Sequence, residues 1–253
     1  MRTTRLIPLI IVPLLLSCAA AKPDVPLTEV PAGPLVRALD ERRQSLQSLK
    51  AVAAVQITRR GRKRSFDSVG ILLKGSDRFK IEAYGPLGQP IAGIMGRGSE
   101  IALQLPLESG YHPAKGGLDK VLGTDIEPAE LTALLSGNMP ALPPGVDMRA
   151  ACGSGACVLE LRQDALVRRL EAAVSPAGTD PRPLSSELKR GQILVYRATF
   201  EWADSRSAVP RKVVIENPDR KANLTVEYEE VDVNAPVGDG EFGIPAEGGR
   251  SGE

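Results

Sequence analysis

Between Val52 and Val233, apolar and polar residues alternate with a period of two along most of the chain. In RFKIEAY, Phe79, Ile81 and Ala83 take one phase and Arg78, Lys80 and Glu82 the other; Ile101, Leu103 and Leu105 alternate in the same way. Successive side chains of a strand point to opposite faces, so these segments predict half-buried strands. VAAVQITRR and RSFDSVGILLK flank a Gly-Arg-Lys turn, and Ile91, Ile94 and Met95 follow the turn Gly85-Pro86-Leu87-Gly88. Further strands are predicted at VDMRAAC, CVLELRQ, ALVRRLEAAV, PRKVVIEN and NLTVEYEEVDV. The longest run is QILVYRATFEWAD, where Leu194, Tyr196, Ala198, Phe200 and Trp202 share a phase. In NLTVEYEEVDV the apolar phase changes after Tyr228, which predicts a β-bulge near Glu229.

The period changes at three places. In LVRALDERRQSLQSLK, Leu35, Leu39, Leu46 and Leu49 fall on one helical stripe, and Pro34 suits a first turn. GLDKVLG (117–123) and EPAELTALLS (127–136) predict two short helices, the second opened by Glu127-Pro128 and stopped by Gly137. SPAGTDPRPLSSELKRG, from Ser175, reads as a polar, Pro-rich loop. About eleven strands, a leading helix and a two-helix insert, with no linker dividing them, make one mainly β (α+β) domain over 34–243. Residues 244–253 are expected to form a mobile tail.

Composition alters this picture at the interior. Aromatic residues are only 4% of the chain, so the core must be mainly aliphatic. A large β-barrel encloses a cavity, which aliphatic side chains or an aliphatic ligand would fill.

The N-terminus, MRTTRLIPLIIVPLLLS, carries Arg2 and Arg5 ahead of an apolar run from Leu6 to Leu16. Such a run fits the roughly 7–15 residues of a secretory signal and falls short of the ~20 that cross a bilayer. Leu15-Leu16-Ser17-Cys18 resembles the bacterial lipobox, so residues 1–17 are read as a lipoprotein signal peptide and Cys18 as the lipid-attachment residue. Residues 18–33, rich in Ala and Pro, are then a flexible tether. An ordinary signal peptide cut near Ala19 to Ala21 is the alternative. Residues 1–17 hold two of the 32 basic side chains and none of the 31 acidic ones, leaving a net charge of −1. That sum gives no general attraction to nucleic acid or anionic lipid, and membrane association is expected from acyl chains.

Cys152 and Cys157, in RAACGSGACVLEL, are expected to form a disulfide across a hairpin if the chain is exported. Free thiols are the second reading. A metal site would need more ligands, and His112 is the single histidine.

The lipobox, leading helix, Tyr-Gly-Pro-Leu-Gly turn, two-helix insert near LLSGNMP and late strand followed by VPRKVVIENP together resemble the LolB/LolA-type lipoprotein carriers, over about residues 34–243. This resemblance implies a half-open antiparallel β-barrel, lidded by short helices, that holds the acyl chains of lipoproteins. LolB-like members are lipid-anchored in the outer membrane, face the periplasm and receive cargo from soluble LolA-like carriers. They bear an exposed leucine, after an early strand, that helps put cargo into the bilayer; Leu87 is the matching position. By the family's sorting rule, Ala19 rather than Asp after the lipidated cysteine implies the outer membrane. The Cys152/Cys157 hairpin and the segment 175–190 are not features of the type members.

Leu87 has two readings: membrane or cargo contact, or packing beneath the lid. Phe79, Ile81, Leu103, Tyr196, Phe200 and Trp202 are candidates for lining a cavity, with a closed core as the alternative. The chain-level readings are an acyl-binding carrier or an accessory envelope lipoprotein. An enzyme is disfavoured, because there is no nucleophile elbow, metal-spaced His/Cys set or phosphate-cradling loop. His112 reads as a surface side chain, and Asp119, Asp125, Glu127 and Glu130 sit where helix starts favour acids. The expectation is a monomer without catalytic residues, cofactor, metal or nucleic-acid partner.

Overall fold

The computed structural model describes residues 26–104, 111–114, 117–175 and 180–243. The signal peptide, Cys18, most of the tether, Leu105 and the tail from residue 244 lie outside the described residues. The strands are β1 (Thr28–Val30), β2 (Ser48–Arg59), β3 (Arg62–Lys74), β4 (Arg78–Tyr84), β5 (Pro90–Arg97), β6 (Glu100–Gln104) and β7 (His112–Pro113). They continue as β8 (Asp147–Gly153), β9 (Ala156–Gln163), β10 (Leu166–Ala173), β11 (Arg182–Arg190), β12 (Ile193–Glu201), β13 (Lys212–Asn217) and β14 (Ala222–Val233). The helices are α1 (Ala32–Ser45), α2 (Asp119–Leu122) and α3 (Pro128–Leu135), with a 3-10 turn at Asp239–Phe242.

All fourteen strands join one antiparallel sheet in the order β1-β8-β9-β10-β11-β12-β13-β14-β2-β3-β4-β5-β6-β7. Two meanders, β2–β7 and β8–β14, meet where β14 pairs with β2, and the sheet stays open between β1 and β7. This is a half-open antiparallel barrel with few helices. The strands beyond the expected eleven are β1, β7 and β11. Residues 28–33, assigned from sequence to the tether, form β1 and open α1. The register shifts between Tyr228 and Glu230, so the bulge lies at Glu229, where the phase change predicts it.

Two expectations are corrected. The segment from Arg182 to Arg190 is a strand, paired on both sides, rather than a loop. Its inward residues are Pro183, Ser186 and Leu188, so burial does not follow an apolar alternation. The leading helix stops at Ser45, and Leu49 belongs to β2. Asn234 accounts for this end: its side-chain amide donates to Ser45 O at 3.0 Å and its Oδ1 accepts from Gln47 N at 2.8 Å. Leu49 then pairs with Val233 of β14 and Leu73 of β3.

The helices share one face of the sheet. Leu118, Leu122, Ile126, Leu131, Leu134 and Leu135 of the insert pack on the inward residues of β2–β5 and β11–β14. Leu39 of α1 packs with Ala150, Leu159, Leu161 and Leu170 of β8–β10. A close approach explains one glycine: Gly96 pairs with Phe79, and a Cβ there would run into the Phe79 ring.

Candidate functional site

The structure sets three features around the covered face of the sheet: a helical lid, a buried polar latch that holds it, and an exposed apolar tip. The lid is α2 with α3. Pro128 opens α3 and has no N–H to leave unpaired at that end, and Glu130 lies in its first turn. Residues Leu131 to Leu135 are all buried, as expected of a helix with sheet beneath it.

The latch joins α3 to the sheet. Arg168 of β10 donates to Tyr196 Oη at 2.6 Å and to Glu130 Oε1 at 2.5 Å, and Tyr196 Oη donates to the same carboxylate oxygen at 2.6 Å. The Arg168 and Glu130 side chains retain 15% and 12% of their accessibility, so the ion pair is largely desolvated. Desolvation pulls the Arg168 pKa down, but attraction from the Tyr196 oxygen and Glu130 outweighs it and the net direction is up. Burial is the main cause pushing the Tyr196 hydroxyl up, offset in part by Arg168 and reinforced by Glu130. It therefore stays protonated and acts as a donor. At the far end of α3, the buried Tyr228 hydroxyl donates to Leu135 O at 2.8 Å, and burial raises its pKa. Thr124 Oγ1 donates to Val195 O at 2.8 Å between the two lid helices.

A cavity of about 550 Å³ opens beside the lid, between α3 and the β3–β4 turn. Leu46, Leu73, Ala129 and Ala133 contribute apolar surface, and Lys74 and Arg78 add charge. The volume lies within the roughly 300–1,000 Å³ of small-molecule sites. Small side chains of α3, Ala129, Thr132 and Ala133, with Ser136 at its C-terminal cap, leave this space.

The tip is the β4–β5 turn. Gly88 N donates to Gly85 O at 2.9 Å, Gly85 N donates to Gln89 O at 2.8 Å, and Gly88 takes a left-handed φ of +77°. The tight closure pushes Leu87 outward to 91% exposure, with Ile91 beside it at 37%. Of the two readings for Leu87, packing beneath the lid does not occur in this structure.

The other predicted residues fall as follows. Phe79, Tyr196 and Phe200 are buried together in the core under the lid, and Ile81, Leu103 and Trp202 pack at its margin. In this closed arrangement they face side chains rather than open space. Trp202 donates its indole N–H to Pro183 O at 2.8 Å and lies between the Arg42 and Arg182 guanidinium groups, 4.8 and 5.5 Å from the ring centre. Cys152 and Cys157 pair across the β8–β9 hairpin and are joined in a disulfide, with Cα atoms 4.1 Å apart. His112 lies on β7 opposite Leu103. Sequence reasoning missed the latch. Its signal was Arg168 in ALVRRLEAAV, a charge in the same phase as Leu166 and Leu170.

No protein-family model and no curated protein matches the sequence. Solved structures do share its architecture. A DUF1329-family protein from Desulfovibrio piger is 14% identical, with a TM-score of 0.53, over 83% of this chain and 97% of that one. A LolA-superfamily protein from Nitrosomonas europaea is 15% identical, with a TM-score of 0.51, over 85% and 98%. A domain described as an outer-membrane lipoprotein-sorting protein, from Vibrio parahaemolyticus, is 11% identical, with a TM-score of 0.53, over 82% and 95%. At such identities the fold is what is shared: this chain has the LolA-like fold.

Proposed function

We propose that the protein is a lipid-anchored carrier of the bacterial envelope, binding acyl chains of lipoproteins or lipids between its sheet and its helical lid and releasing them into the outer membrane. Cys18 would hold the anchor, and a soluble carrier of the same fold would supply cargo. The domain works by binding and transfer, without a catalytic step. Support for the theme comes from the LolA-like fold and from a fold relative described as a lipoprotein-sorting domain.

The observation that carries the reading is Leu87, held at 91% exposure by a turn that can hardly hide it. Burying a leucine side chain contributes roughly 1.5–3 kcal/mol, which a bilayer or an incoming acyl chain supplies and water does not. Loading requires the lid to move. Breaking a buried ion pair costs about 3–5 kcal/mol. Each methylene taken out of water contributes about 0.8 kcal/mol, so a dozen supply roughly 10 kcal/mol. An acyl chain can therefore offset the latch, while a short apolar solute cannot.

The test is delivery. Leu87→Glu protein loaded with an acylated cargo should retain the cargo but pass it to liposomes at least tenfold more slowly than the wild type. Unchanged delivery would remove Leu87 from the mechanism. A second reading, an accessory envelope lipoprotein that carries no lipid, draws on the closed core in which Leu131, Leu134 and Phe79 are fully buried. It expects no acyl uptake at all.

A further inference from the structure

We infer that the end of the sheet bearing Leu87 is a docking surface for anionic phospholipid. The near-zero net charge hides a segregation that the strand order brings about. Within β11-β12-β13-β14-β2-β3-β4-β5 every neighbour is antiparallel, so the hairpins β11–β12, β13–β14, β2–β3 and β4–β5 all turn at one end. The β2–β3 tip reads TRRGRKRS, and the β13–β14 tip reads PDRKA. A backbone hydrogen bond from Arg60 N to Lys221 O, 3.1 Å, ties the two tips together.

Arg60, Arg62, Lys63, Arg64, Arg220 and Lys221 are all exposed, and none has an ion-pair partner among the described residues. The single carboxylate on these two tips is Asp219. At the opposite end several cations are tied down, Lys74 and Arg78 with Asp239, Arg182 with Asp180 and Arg211 with Glu201. Those without an ion-pair partner among the described residues, such as Lys50, Arg97 and Arg206, sit singly on separate elements rather than in a cluster. The backbone adds an independent observation. Arg60 and Lys221 take left-handed φ values of 50° and 51°, positions where Gly, Asn or Asp are the usual residues. The tips thus hold cations where the turn geometry itself favours other residues.

Three exposed aliphatic residues share this end: Leu87, Ile91 beside it, and Ile193, 68% exposed at the start of β12. Unpaired cations with isolated aliphatic anchors match a surface with anionic headgroups outside and hydrocarbon beneath. An acidic protein would satisfy the cations but offer nothing specific to Leu87 and Ile193. Screening limits the attraction to about 8 Å at physiological salt, so the field acts as a short-range orienting force. The inference deepens the carrier reading, on which it rests, by naming the lipid class that receives the tip.

The experiment uses the chain from Ala19 onward, which retains every described residue, floated with vesicles of phosphatidylcholine alone or with 30 mol% phosphatidylglycerol. Wild-type protein should bind the anionic vesicles at least tenfold more tightly, with the difference abolished in 0.5 M salt. Arg62→Glu/Lys63→Glu should lose that preference. Arg97→Glu/Arg206→Glu, with the same charge change on exposed residues away from these tips, should keep it. Arg220→Gln/Lys221→Gln provides a second tip variant should the first fail to fold. Equal binding to both vesicle types, or equal losses in the tip and control variants, overturns the inference. So does a tip variant that binds vesicles normally and fails instead to take cargo from a soluble carrier, since the surface would then be a protein dock. Acyl uptake measured in parallel separates the two claims: its absence in wild-type protein that still prefers anionic vesicles would remove the carrier reading and leave the docking surface standing.

Discussion

Leu87 contributes almost no buried area to the folded domain, so Leu87→Glu should shift the melting temperature by less than about 2 °C, as surface substitutions do. A larger fall would show that the tip packs. Glu130 behaves oppositely. Glu130→Ala leaves the Arg168 guanidinium desolvated and unpaired, at a cost of about 3–5 kcal/mol. For a domain of this size that is on the order of 10 °C in melting temperature. Replacing both partners, Glu130→Leu with Arg168→Met, should recover most of the loss, because apolar residues can fill a site where a lone charge cannot remain. If the double variant is no more stable than the single one, the latch is not the pair described. Arg168 was legible as a charge in an apolar phase, but its partner lies 38 residues away on another element, a pairing that no local spacing encodes.

At the level of elements, the strands with clean alternation were readable because each packs one face on the lid or α1 and leaves the other in water. β12 and β14 show it best: Tyr196, Ala198 and Phe200 in one, Leu224, Val226 and Tyr228 in the other. β11 was not readable, because it sits inside the sheet with Pro183 and Ser186 at inward positions and takes its conformation from β10 and β12. β1 and β7, three and two residues long, exist only through pairing with β8 and β6. The end of α1 was misread because Leu46 and Leu49 fit a helical stripe equally well, while the β14 register claims Leu49 for the sheet. The β8–β9 hairpin carries its own prediction. A cross-link closing so short a loop contributes about 2 kcal/mol by chain entropy. Cys152→Ser/Cys157→Ser should lower stability by that amount and speed amide exchange in β1 and β8, where Thr28 pairs with Cys152, before any change in β2 or β14. Uniform loss of protection would mean that the edge and the centre unfold as one unit.

For the whole molecule, the described residues form one sheet whose helices all lie on a single face and whose tip cations gather at one end. Net charge could not reveal that gathering, because acids elsewhere balance the sum. The four tyrosines share a direction. Burial raises the pKa of Tyr84, to about 12, and of Tyr111, Tyr196 and Tyr228, and Glu82 adds to the rise at the first two. The folded state thus favours the neutral phenols, while the unfolded chain ionises near pH 10. Above that value the unfolded state binds fewer protons than the folded one, so stability should fall as pH rises past about 10. Absorbance of tyrosinate should then appear together with unfolding rather than before it; ionisation at pH 10 in a fully folded protein would contradict these environments.

The central claim is that the face beneath the lid accepts hydrocarbon. It is tested most directly by titrating a fluorescent long-chain acyl lipid into the chain from Ala19 onward while following amide exchange in α2 and α3. Saturable binding of one acyl lipid per protein, with the lid amides losing protection as the site fills, is the predicted result. No saturable binding, with α3 equally protected at every lipid concentration, would contradict it and leave a closed, structural domain.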